Sequence, residues 1–266
     1  MNHAICHAAG SCWHRRWKYW PFVQSEKTRN RHHEEESRAA PECGMPGADF
    51  FSCAFWGSQA IAATPAYPAM APLKQYLMPK AAEIALARSA APPSVSAGAT
   101  VMVLTPHGYT TATKGSNGFV CMVGRSWDQN PTKPEFWNPK MRAPICFNAA
   151  AARTFMPIGL LKTKLVLAGT PRSQIAGKIA AAFDDGNLPA LAPGSMCYMM
   201  SKQQYLNDNA KNWHPHLMFY EPGDLAKSWG ANLPGSPVIA TNDPEDRVTV
   251  FIMLASHWSD GTPYSR

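Results

Sequence analysis

His214 and His216 stand one residue apart, with Pro215 between them. In extended chain such a pair faces one side, and a proline favours extension in the residue before it. Two imidazoles on one side supply two nitrogen ligands to a divalent metal such as zinc. Glu221 ends the apolar run that follows and adds a carboxylate. His107 and His257 each come just after a strand-like run, so each is a candidate third ligand or general base. A metal held there would activate water and polarise an ester, lactone or related carbonyl. Lys202, Tyr198, Tyr205 and Tyr220 lie close by in sequence and would support a developing oxyanion. This pattern leads to the expectation of a metal-dependent hydrolase.

A different chemistry is also written in the chain. Arg125, Lys140 and Arg142 sit in a long irregular stretch rich in aromatics and amides. With Lys202 they would fix the anionic end of a ligand, while Tyr198 and Tyr220 line its apolar part. That describes a non-catalytic envelope module for a small amphipathic or anionic ligand. A third reading is a structural envelope protein, in which the aromatics only pack loops. The three differ in space: an enzyme needs at least three polar groups converging in one cleft.

The elements that must position these groups follow from periodicity. Pro79 opens a helix over 79–91, with Ile84, Ala87 and Ala91 on one face, and Pro92-Pro93 stops it. Residues 99–104, 109–114 and 119–123 read as three strands with tight turns, most simply an antiparallel meander. Asn148 caps a short helix over 149–155, ended by Pro157. Residues 160–167 fit helix and strand equally. Thr170 caps the clearest helix, with Pro171 in its first position, Ile175, Ile179, Ala182 and Phe183 on its apolar face, and Gly186 closing it. Residues 196–200 are extended. Ser201 and Gln204 fit a capping box, which assigns them to a helix start rather than to catalysis. Residues 238–240 and 248–254 are strands joined by a turn at 243–246. The fold class is α+β: an antiparallel or mixed sheet, a few short covering helices and long ordered loops. The 24 prolines and 18 glycines account for the loops.

The domain spans 73–266 in this reading, and 1–72 is an atypical extension. Met45 is an alternative start, residues 50–63 resemble the apolar core and small-residue end of an export signal, and 64–72 form a linker. Export is slightly preferred over a cytoplasmic location. The net charge of +7 is spread thinly. Residues 1–40 carry seven Lys/Arg and four Glu, and the remainder eighteen against fourteen acids. Nothing clusters into a nucleic-acid groove. No run is long and apolar enough to span a membrane. No nucleophile elbow, phosphate loop or HExxH motif occurs. Cys121, Cys146 and Cys197 each sit among apolar neighbours and read as buried thiols, with a disulfide between two of them if the chain is exported.

Overall fold

The β-branched and apolar runs of the sequence assemble into one mixed sheet of eight strands. The computed structural model describes residues 66–209 and 211–265. The expectations for residues 1–65, including the alternative start and the export signal, lie outside the described residues. In chain order the strands are Thr100–Thr105 (β1), Gly108–Thr113 (β2), Val120–Gly124 (β3), Ala143–Phe147 (β4), Met196–Met199 (β5), His216–Pro222 (β6), Ile239–Asp243 (β7) and Val248–Leu254 (β8). Across the sheet they run β2-β1-β3-β4-β5-β6-β8-β7. With the helices below, this is an α+β fold. Among the described residues no helix is long and apolar enough to cross a membrane.

The first three strands are not the expected meander. β1 lies between the other two, antiparallel to β2 and parallel to β3. The connection from β2 passes the start of β1 to reach its far side. It is held there by Ser116 N donating to Gly98 O at 2.9 Å and Gly115 N donating to Thr100 Oγ1 at 3.0 Å. A Cβ on Gly115 would lie 2.2 Å from Thr100 N, so only glycine lets the two backbones touch. The polar Thr110 and Thr111 of β2 are exposed, which suits an edge strand.

Lys80–Arg88 (α1) and the single turn Pro93–Ser96 (α2) begin the described helices. α1 and its flank put Ala87, Ala90 and Ala91 against Val101, Cys121, Val123 and Cys146 on one face of the sheet. Cys121 and Cys146 are directly opposed on β3 and β4 and form a disulfide, while Cys197 stays a buried thiol. The other face is covered by Ala149–Thr154 (α3) and Met156–Leu167 (α4), with Arg172–Asp184 (α5) packed outside α4. Asn148 caps α3 as expected, its Oδ1 accepting from Ala151 N at 2.9 Å. Pro157 sits in the first turn of α4, where its missing N–H costs nothing, so it starts a helix instead of ending one. α4 is apolar around its girth because it is sandwiched between sheet and α5. That is why 160–167 had no clear period.

Two capping expectations fail. α5 begins after Pro171, and Thr170 makes no side-chain cap. Residues 201–204 are turn rather than helix. Ser201 Oγ pairs with Ser89 Oγ at 2.6 Å, and Gln204 Nε2 donates to Trp213 O at 2.7 Å. Ser201 Oγ also accepts from Gln203 N at 3.1 Å, so it braces a turn and not a helix start. At the far edge of the sheet, Asn232 reaches back to β7. Its Nδ2 donates to Ala240 O at 2.7 Å and its Oδ1 accepts from Ala240 N at 3.3 Å.

Candidate functional site

The histidine pair lies at the entry to β6. His216 is buried, and its Nδ1–H donates to His214 O at 2.7 Å. Burial holds its pKa below the ordinary value, so the ring is neutral. Trp213 packs edge-on against it with ring centres 4.8 Å apart, and His214 packs against Tyr264 at 4.4 Å. Glu221 is five residues along the same strand, an odd offset that turns it to the opposite face. His107 is exposed in the turn between β1 and β2. His257 is exposed and shares a 2.9 Å hydrogen bond with Ser256 Oγ. Among the described residues no three His, Cys, Asp or Glu side chains are grouped to hold a metal ion.

The remaining expected groups mostly brace the chain. Lys202 makes an exposed ion pair with Asp260 at 2.8 Å. Tyr205 and Tyr67 both donate to Asp208, and Lys140 approaches the same carboxylate at 3.2 Å. These hydroxyls and the ammonium hold the Asp208 pKa down at about 2. Arg142 donates to the carbonyls of Pro139, Met141 and Gln75, which leaves it tied to backbone rather than open to an anion. Tyr198 faces the α1 side of the sheet, beside Phe119. Arg125 and Tyr220, in contrast, come to the same cavity. Arg125 is fully buried, paired with Glu83 at 2.8 Å and donating to Tyr76 O. Tyr220 is fully buried too, stacked on Phe155 and 3.0 Å from Cys197 Sγ.

That cavity lies between the sheet and α4 and measures about 280 Å³. Alternation along the strands builds its wall. Met122, Ile145, Phe147, Met199, Met218 and Val250 all point to the α4 side, while their neighbours point to the opposite face, those on β3 to β5 toward α1. Methionines give such a wall a surface that adapts to shape. One end is polar. Asp128 closes a 3-10 turn, Ser126–Asp128, and Asp246 sits in the turn between β7 and β8. Lys162 comes from the middle of α4.

These three groups are tightly joined. Lys162 Nζ donates to Asp246 Oδ2 at 2.8 Å and to Asp128 O at 3.4 Å. Asp128 Oδ2 accepts from Arg125 N at 2.9 Å. A Cβ on Gly124 would lie 2.8 Å from that same oxygen, so glycine makes room for the carboxylate. The other oxygen of each aspartate, Oδ1, is sealed from solvent and meets no hydrogen-bond donor among the described residues. Burial pushes the Asp128 pKa up to about 6, against the opposing pull of the Arg125 backbone N–H and the Lys162 charge. Burial raises Asp246 as well.

Sequence reasoning missed this polar end. Asp128 and Asp246 are far apart in the chain, and nothing local links them. One signal was legible: Lys162 is a charge inside an apolar run, and a buried lysine demands a counter-ion. No protein-family model, no curated protein and no solved structure matches the chain.

Proposed function

We propose that this protein binds a small amphipathic molecule in the cavity between the sheet and α4. One observation carries the reading: an apolar, methionine-rich cavity of about 280 Å³ has a polar end lined by Asp128, Asp243, Asp246 and Lys162. The volume is close to the lower bound of small-molecule sites, roughly 300 Å³, so the ligand is a short alkyl chain or a single ring with one polar head. Isothermal titration of the full chain with hexanol is the test. Saturable binding is expected, and Met218→Trp, which fills the cavity from β6, should abolish it while the far-ultraviolet spectrum stays unchanged. Equal binding by both proteins would sink the reading.

A second reading keeps hydrolysis. A carboxyl with a pKa near 6 in an apolar cavity has the properties of a general acid–base group, and Asp128 is such a carboxyl. In that case Asp128 assists attack of water on a carbonyl lodged in the cavity. The His214–His216 pair, expected to hold a metal for this chemistry, has no converging third donor among the described residues. Turnover of p-nitrophenyl hexanoate that disappears in Asp128→Asn would support hydrolysis over simple binding. Turnover unchanged in that variant would remove Asp128 from the chemistry.

A further inference from the structure

The head group of the ligand follows from the charges at the polar end. Asp128, Asp243 and Asp246 contribute three carboxylates to the cavity wall. Against them stand two cations, Lys162 and Arg125. Arg125 is already neutralised by Glu83, with both side chains fully buried. Lys162 is committed to Asp246 Oδ2. The surroundings therefore favour an added positive charge and oppose an added negative one. Asp246 is more than nine-tenths buried, yet its Oδ1 has no donor among the described residues; Asp128 is half-buried, and its Oδ1 has no donor either. Lys162 Nζ reaches the carboxylate of Asp246 and the backbone carbonyl of Asp128, which places the two residues at the same end of the cavity. Carboxylates at the polar end match a head group that is cationic and carries several N–H donors. No three acidic or histidine side chains among the described residues are grouped for a metal, so the apolar wall and the acceptors together suit an organic cation.

We infer that the cavity takes an amphipathic primary amine, its ammonium at the end lined by the carboxylates of Asp128, Asp243 and Asp246 and its apolar tail lying along the methionine wall. This rests on the binding function proposed above and gives the ligand its class. It also reverses the anionic head group that Arg125, Arg142 and Lys202 had suggested. All three cations are engaged elsewhere: Arg125 with Glu83, Arg142 with backbone carbonyls and Lys202 with Asp260.

The test compares probes that share one tail. The full chain is titrated calorimetrically with hexylamine, hexanol and hexanoate at neutral pH. Hexylamine should bind at least about tenfold tighter than hexanoate, with hexanol between them. Asp128→Asn, which keeps the Lys162–Asp246 pair, should cut the preference for the amine to about threefold or less. Asp246→Asn should do the same. If it fails to fold, Asp128→Asn decides. Hexanoate binding as well as or better than hexylamine overturns the amine assignment and leaves the cavity function standing. Equal binding of all three overturns it too, since the tail alone would then decide. Binding of none overturns both.

Discussion

Asp128 is costly where it stands. Its folded pKa of about 6 lies above its ordinary value of 3.8, so the fold favours the protonated form. Below 3.8 both folded and unfolded chains hold the proton and nothing is lost. Between 3.8 and about 6 the unfolded chain ionises and the folded one resists, so stability falls as pH rises. Above that window the loss is level. Asp128→Asn should therefore stabilise the protein, with a gain that grows from pH 4 to pH 6 and stays constant beyond. At pH 7 the gain is on the order of 1–2 kcal/mol, reduced from the full shift because the residue is only half-buried. Urea melts across that range measure it, and a gain that is flat or shrinks with rising pH would refute the burial account. Replacing Lys162 by Met should act the other way, costing about 3–5 kcal/mol because Asp246 is left buried beside no cation. Individual roles such as these were hard to read from sequence. The chemistry of a histidine, arginine or tyrosine is visible in its letter, but its partner is not. Arg142 reads the same whether it faces an anion or three backbone carbonyls.

Elements were more legible, and the failures have identifiable physical sources. The strand over 248–254 and the helix carrying Ile175 and Ile179 follow from periodicity that burial enforces. The order of β1, β2 and β3 did not follow, because the preference for adjacent hairpins lost to one close backbone approach. Gly115 lets the chain slide past the start of β1, and no hydrophobic pattern encodes that. Gly115→Ala should destabilise the protein by at least about 2 kcal/mol, since the added carbon overlaps the backbone around Thr100. Gly169, which has open space but a left-handed φ of 75°, is the control for strain alone. Its alanine variant should cost about 1 kcal/mol. Similar losses in both variants, read from chemical denaturation, would mean that the crossover does not depend on close contact.

At the scale of the molecule, the sheet is closed by covalent and polar devices as well as by packing. The Cys121–Cys146 disulfide ties adjacent strands separated by 25 residues, and in the chain-entropy view a bridge of that span is worth about 3.5 kcal/mol. Reduction, or the double change to alanine, should lower the denaturation free energy by about that amount. No change on reduction would show that the bridge does not constrain the unfolded chain. Both sulfurs were legible as buried, but their pairing required the register that sets one opposite the other. The Asn232 side chain carries a different consequence. By occupying the outward amide and carbonyl of Ala240, it leaves a visiting strand no row of backbone groups to copy along β7. Trp229, Leu233, Met253 and Leu254 remain exposed near that edge. Crowded solutions of this protein should accordingly gather into amorphous clusters through those side chains, whereas Asn232→Ala unlocks templated, fibre-forming growth.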